Sequence, residues 1–446
     1  MKKAACLALA GIVALTLVGS WLWIQTRHPL GNLLTGDMGG QALAWGRLAG
    51  LLAAFGILTQ LTVIGRARWL EHVFGLDRLT RFHHILGFSL LFFLVAHPLL
   101  VTFGHAQQAD LSFYDQAVDF WRTWRGLASA TIGLGLMLAA LAASAAVLAK
   151  RMRYEQWYLT HLTLYVAFAL AIQHQFVCGS DITDHRFFKW FWACLYVCLL
   201  AQMAVFRFLR PARLFFRHRF AVERLVPESA DVMSVYIRGR DLDAFRAEPG
   251  QFVIVRFLAK GFRWEAHPFS LSRPPDGHGL RLSIKGVGDF TKRIGGLQPG
   301  TPVLIDGAYG VFTAQKASSE RVLLIAGGIG ITPLRALAET CAKAGRDTVL
   351  LYGNRSAESL VFRDELEQLA SAAEGRLRFI PVLSNQADWQ GEHGHIDRDR
   401  LARLVPDLPE RDVFLCGPPA MMKSVLHALS ALGVEKSRIH YERFTL

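Results

Sequence analysis

The chain has 446 residues, 52% of them hydrophobic, a formal net charge of +13 and a mean hydropathy of +0.27. That length allows two or three domains, and that hydropathy excludes an ordinary water-soluble enzyme. Six cysteines without a C-x4-C-x2-C run exclude a disulfide framework and a plant-type iron–sulfur cluster.

Charge divides the chain. Residues 4–24 carry none, whereas residues 211–446 are rich in Arg, Asp and Glu, so a membrane half precedes a soluble half. Six apolar runs approach the roughly 20 residues that a bilayer core requires: about 4–24, 41–64, 82–103, 126–149, 157–178 and 187–209. Lys2 and Lys3 before the first run also suit a secretory signal. The long run and the poor cleavage site in "VGSWLW" favour a span. Arg66, Arg68, Arg78 and Arg81, then Lys150, Arg151 and Arg153, then Arg207, Arg210, Arg213, Arg217 and Arg219 mark one set of loops as cytoplasmic. The N-terminus and soluble half are expected on that side of a cytoplasmic (plasma) membrane. These basic residues sit at span ends and form no separate basic domain, so lipid is the expected partner and nucleic acid is not.

Four histidines stand out within the spans. His83 and His97 are fourteen residues apart on the third, and His161 and His174 thirteen apart on the fifth. Each interval is roughly 20 Å of helix. His83 and His161 therefore share an inner depth, and His97 and His174 an outer one. Two levels with two imidazoles each suit two bis-histidine haems, since imidazole is a common axial ligand and ionisable groups within a membrane are usually functional. The alternative is polar packing at span ends. Fourteen residues bring His97 to within about 40° of His83, but thirteen leave His174 about 140° from His161. The fifth span must deviate, or its ligands must face different sides. His84 is the expected bystander.

The soluble half opens with short alternating strands, "DVMSVYIRG", "QFVIVRFL" and "LRLSIKG", with turns at "EPG" and "QPG". They predict a small antiparallel barrel. It contains "HPFSLS" (267–272) and "KGVGDFTKRI" (285–294). The second runs into a helix expected near Thr291, where free amides bind phosphate; a plain turn is the alternative. From residue 321, strands such as "RVLLIA", "TVLLYG", "RLRFIPVL" and "DVFLCG" alternate with helices and predict a doubly wound parallel sheet. "GGIGITP" (327–333) between strand and helix suits a pyrophosphate, although it is not G-x-G-x-x-G. Cys416 in "LCGPPAMM" ends a strand, where such sheets bind ligands; it also reads as a small buried apolar residue. Arg355 in "YGNRS" ends the second strand, where a cation pairs with a 2′-phosphate or stays in solvent.

Taken together, these motifs resemble the NADPH oxidase and ferric reductase superfamily over nearly the whole chain. The two histidines on each of two spans resemble its ferric reductase-type transmembrane domain. "HPFS", "GDFT", "GGIGITP" and "CGPP" resemble its ferredoxin-NADP reductase-type module. The resemblance implies a multidomain membrane protein. Residues 1–210 would form a six-helix transmembrane bundle, 211–315 an antiparallel β-barrel FAD domain and 316–446 an α/β doubly wound parallel-sheet nucleotide domain. It implies His83 with His161 on an inner b-type haem and His97 with His174 on an outer one. His267, Pro268, Phe269 and Ser270 would contact FAD, and Gly288, Asp289, Phe290 and Thr291 would hold its pyrophosphate. Gly327, Gly328, Gly330, Thr332 and Pro333 would hold NADPH or NADH, with Cys416, Gly417 and Pro418 near the nicotinamide. Phe444 resembles the aromatic that covers the flavin.

NAD(P)H gives two electrons at once and haem iron accepts one, so FAD is the required converter. The expected function is electron transfer from cytosolic NAD(P)H through FAD and two haems to an outer acceptor. Arg47 resembles the arginine beside the outer haem of NADPH oxidases and favours oxygen giving superoxide; a snorkelling interface arginine is the other reading. Val101, where the oxidases carry a second outer histidine, favours a ferric-chelate reductase. A haem-binding electron-transfer subunit serving another partner is the third reading, against which the fused flavin and nucleotide motifs argue. No obligate protein partner and no calcium switch are expected.

Overall fold

The computed structural model describes residues 36–148, 151–152, 154–178, 180–184 and 186–444. The expected first span lies outside them. The described residues divide into two compact units, with breaks at 73/74, 77/78 and 204/205; residues 74–77 group with the second.

The first unit is helical. Its main elements are α1 (Met38–Ile64), α2 (Arg68–Phe74), α3 (Leu76–Ala109), α4 (Phe113–Thr123), α5 (Leu127–Leu148), α6 (Tyr154–Val177) and α7 (Arg186–Met203). Among the described residues, four helices are long and apolar enough to cross a membrane: Met38–Ile64, Leu76–Ala109, Leu127–Val147 and Arg186–His218. The fifth expected span is the 24-residue α6. It is not among the four, since Thr160, His161, Thr163, Gln173 and His174 lower its hydropathy. α3 runs past both ends of the expected 82–103 and continues through Pro98.

Small residues set the helix packing. A Cβ on Gly46 would lie 2.8 Å from the Val101 side chain, one on Gly50 2.6 Å from the His97 ring, and one on Gly104 2.5 Å from Leu43. These pairs run in opposite directions along α1 and α3, so the two helices are antiparallel and approach closely through glycine, as membrane helices do. α5 and α6 form a second antiparallel pair. The Trp157 indole donates to Ser144 Oγ at 3.1 Å, and Ser129 Oγ donates to the Leu170 carbonyl at 3.3 Å.

The second unit begins its globular part with α8 (Arg210–His218). Arg210 on α8 donates to the Tyr309 hydroxyl at 3.3 Å and pairs with Asp306 at 3.5 Å. Two three-stranded antiparallel sheets follow. One has the order β1 (Ala221–Ser229), β2 (Val232–Arg238), β5 (Gly279–Lys285). The other has the order β4 (His267–Ser270), β3 (Phe252–Phe257), β6 (Val303–Tyr309). Every second residue points inward: Val235 and Ile237, Leu280 and Leu282, Val253, Val255 and Phe257, Val303 and Ile305 share one buried core. Isolated bridges Ala221–Pro302 and Leu271–Leu282 join the two sheets at either seam.

The remaining six strands form one parallel sheet. Its order is β10 (Glu392–His393), β9 (Leu377–Leu383), β8 (Asp347–Asn354), β7 (Arg321–Gly327), β11 (Asp412–Cys416), β12 (Ile439–Glu442). Leu324, Ala326, Leu350, Tyr352 and Phe414 pack on one face, and Leu323, Ile325, Val349, Leu351 and Val413 on the other. Burial on both faces explains why these strands read as unbroken apolar runs. Strand order reverses between β7 and β11, which puts the topological switch point at their C-terminal ends.

Candidate cofactor sites

In the helical unit the four histidines meet as two pairs. The His83 and His161 ring centroids are 6.1 Å apart, and those of His97 and His174 6.2 Å. An imidazole nitrogen sits about 2.0–2.1 Å from a first-row metal such as zinc, so two rings flanking one metal hold their centroids roughly 6.3 Å apart. Both pairs fit a bis-imidazole iron. The Nδ1 atoms of His83, His161 and His174 are buried without a hydrogen-bond partner. His97 Nδ1 instead meets the Gly46 carbonyl at 2.8 Å. That contact selects the Nδ1–H tautomer and leaves Nε2 as the ligand atom, the usual outer-shell support of a metal-bound histidine. His84 is exposed, with its ring 6.1 Å from that of His83. Among the described residues no group of three or more His, Cys, Asp or Glu stands together as a metal site.

The supporting glycines were not legible as such. Gly46 supplies the acceptor and Gly50 leaves room for the ring; both depend on which helix lies beside α3. His105 was also missed, because the span was expected to end at residue 103. Its ring lies 5.4 Å from both Phe120 and Trp124. Arg47, half-buried and adjacent in sequence to Gly46, is within electrostatic range of His105. Val101 packs against Gly46.

In the second unit, β4 is the "HPFS" segment. Ser270 pairs in register with Phe252 and is buried, and its Oγ has no hydrogen-bond partner. An orphaned hydroxyl at this strand end suits a polar ligand edge. The His267 ring lies 4.1 Å from that of Phe290, and Phe269 stacks on Phe290 at 6.5 Å. Pro268 faces Ile254 across the ladder. The helix expected near Thr291 starts at Asp289 and is a single turn, α9 (Asp289–Lys292). Thr291 Oγ1 accepts from the Gly288 amide at 2.9 Å and the Val287 amide at 3.0 Å. Thr291 therefore shapes the loop by consuming two amides. A Cβ on Gly288 would meet nothing within 4 Å, so the backbone there borders open space.

The nucleotide residues gather at the switch point. Gly327 ends β7, and α10 (Ile331–Lys343) begins after Gly330 and contains Thr332 and Pro333. A side chain on Gly330 would collide with the Cys416 carbonyl, and one on Gly417 would lie 3.1 Å from the Gly327 amide. The two loops touch backbone to backbone, which only glycine permits. Gly328 has φ +51°, with open space where a Cβ would be. Pro418 precedes α12 (Pro419–Ala431). Cys416 is fully buried and faces Glu442 across the β11–β12 ladder. Burial, then the carboxylates of Glu442 and Asp77, push its thiol well above the usual range. Glu442, buried beside Cys416, was not singled out in the sequence because its partner strand is distant in the chain. Phe444 follows β12 and is exposed; Arg355 follows β8 with an exposed side chain, and its carbonyl accepts from the Asn385 amide at 2.9 Å.

Comparisons with known proteins follow this division. Residues 49–172 match the family described as ferric reductase like transmembrane component, residues 218–312 an FAD-binding domain, and residues 324–427 an oxidoreductase NAD-binding domain. The chain is 28% identical over 235 residues to the glycine betaine monooxygenase reductase subunit of Pseudomonas aeruginosa, covering 51% of this chain and 64% of that one. It is 32% identical over 238 residues to a flavohemoprotein of Vibrio cholerae, covering 50% and 58%. The match thus spans less than two thirds of either relative. The FAD/NAD-binding domain of a nitric oxide dioxygenase from Vibrio cholerae superposes with a TM-score of 0.46 at 29% identity, over 51% of this chain and 98% of that domain.

Proposed function

We propose, for an oxidoreductase with the architecture of NADPH oxidases and ferric reductases, that electrons pass from cytosolic NAD(P)H across the membrane to oxygen, giving superoxide outside. The observation that carries this reading is the pair of imidazole pairs, at 6.1 and 6.2 Å, in a unit dominated by long apolar helices. FAD and haem, when bound, supply the conversion of a two-electron donor into single electrons. The chain's residues do the rest. His83, His97, His161 and His174 hold iron and move no proton. Gly46 fixes the His97 tautomer. Gly327, Gly328 and Gly330 clear the backbone for a pyrophosphate, and Ser270 offers a hydroxyl at the flavin edge. Arg355 is assigned to the 2′-phosphate of NADPH, and Phe444 to covering the flavin. In this reading the bundle has six spans, with 4–24 and α6 completing the four. The two isolated bridges close the six antiparallel strands into one barrel. The domains are 1–210, 211–315 and 316–446.

Arg47, next in sequence to the Gly46 that bonds His97, favours oxygen as acceptor, because a cation near the outer pair would stabilise a developing anion. Val101 favours a second reading, ferric-chelate reduction. The purified protein with NADPH and FAD separates them: cytochrome c reduction is followed with and without superoxide dismutase, and ferric-chelate reduction without oxygen. Dismutase-sensitive cytochrome c reduction is expected. An insensitive signal with rapid ferric reduction would make the protein a ferric reductase.

A further inference from the structure

One ionic network in the second unit, built on two buried guanidinia and a half-buried carboxylate, serves neither cofactor directly. Arg281 on β5 and Arg335 on α10 are 4% and 5% exposed at their side chains, and both reach the carboxylate of Glu365 on α11 (Arg363–Ala372). Arg281 grips it with two nitrogens, at 2.9 and 3.3 Å. The same guanidinium donates to the Ser272 carbonyl at 2.8 Å and to Ser272 Oγ at 3.1 Å, and lies 4.4 Å from the Phe362 ring. Arg335 also meets Glu339 at 2.5 Å, and Glu339 meets Lys343 at 2.6 Å.

The connectivity gives the network a direction. Ser272 lies two residues beyond Ser270, in the flavin-side segment. Arg335 lies one turn into the helix that the nucleotide loop Gly327–Gly330 opens. The chain of contacts therefore runs from flavin strand to Ser272, Arg281, Glu365, Arg335 and nucleotide helix. Glu365 is the one acid shared by both guanidinia, and it is a forked acceptor matched to their planar donors.

We propose that Glu365 is a positioning residue that fixes the nucleotide-binding helix against the flavin strand for hydride transfer. This rests on the reading that the unit passes a hydride from reduced nicotinamide to flavin, the nucleotide being oxidised and the flavin reduced by two electrons. A small misplacement of the donor carbon costs rate more than affinity, because the pyrophosphate is still held by glycine backbone.

The test uses full-length holoprotein and anaerobic stopped-flow flavin reduction by NADPH and its C4-deuterated form. Glu365→Gln is expected to slow flavin reduction about tenfold or more, raise the hydrogen isotope effect and weaken the long-wavelength charge-transfer band, with KM within about twofold. Glu365→Asp should be intermediate. Should Glu365→Gln not fold, Glu365→Asp and Arg335→Lys are read in the same assay. In the same holoprotein without nucleotide, hydrogen–deuterium exchange over residues 279–285 and 331–343 should accelerate in the variants. Unchanged reduction rate and isotope effect, or a loss confined to thermal stability, would overturn the proposal. If wild-type protein shows no NAD(P)H-dependent flavin reduction, the functional reading fails instead, and the exchange measurement still decides whether the clamp exists.

Discussion

The surroundings of His97 and the switch point of the parallel sheet use glycine alike but present opposite chemistry. Around His97, Gly46 and Gly50 on α1 make room for and hold a side chain that would itself do the binding. At the switch point, Gly327, Gly330 and Gly417 bring two backbones together, and the backbone itself would form the site. The difference teaches where each region is fragile. A ligand held by one imidazole on each side is lost when either is removed. A nucleotide cradled by many amides is weakened in steps.

The sharpest way to break this comparison is at the imidazoles. His97→Ala or His174→Ala is expected to remove the outer haem and leave a reducible inner one, so the pyridine haemochrome assay should fall from two haems per chain to one. Two haems in either variant would end the assignment of that pair, and no haem in wild-type protein made with ample haem would end the claim for both. Gly50→Leu should follow with a smaller loss. Its side chain begins 2.6 Å from the His97 ring, which the Gly46 carbonyl holds in place. The ring must turn, and overpacking of this kind costs about 1–3 kcal/mol. Partial outer haem with an altered low-spin spectrum is expected; wild-type haem content and spectrum would show that the helices yield instead.

The backbone side of the comparison gives graded effects. If Arg355 pairs with a 2′-phosphate, that charge-assisted bond contributes about 1.5–3 kcal/mol. Arg355→Ala should then raise the KM for NADPH roughly tenfold or more while leaving that for NADH nearly unchanged. Equal effects on both nucleotides would return Arg355 to a solvated turn.

What was legible in the chain follows the same division. The strands "RVLLIA" and "DVFLCG" announced a sheet buried on both faces, because burial on both sides leaves no polar alternation. The depth of each histidine pair was legible from helical rise alone. Their pairing was expected on that ground and the rings do meet; the helical wheel, with about 140° between His161 and His174, left open only how the fifth span turns each toward its partner. Rise along one helix is local, whereas the facing of two helices depends on glycines such as Gly46 and Gly50 in a third. Glu365 and Glu442 were invisible for the same reason. Each matters through a residue on another strand or helix, and no local spacing encodes that.

The smallest effect concerns Cys416, where the structure sharpens the chemistry by excluding a role. The thiol is fully buried and pushed well above its ordinary 9.0, by burial first and then by the carboxylates of Glu442 and Asp77. It therefore stays protonated across the working range, and beside a nicotinamide it would serve as a compact neutral wall, not as a thiolate. Cys416→Ala should lower kcat modestly and equally with NADPH and NADH, because it removes packing and no charge. Cys416→Ser should keep the wild-type pH profile of flavin reduction from pH 6 to about 9. The sign on stability follows from the same shift. Native protein keeps a proton that the unfolded chain releases near 9.0, so this group's contribution is complete below that pH and is lost as pH rises beyond it. A basic limb present in wild type and absent from Cys416→Ser, or rapid inactivation of native protein by iodoacetamide at pH 8 with protection by nucleotide, would show a thiolate at work and overturn this assignment.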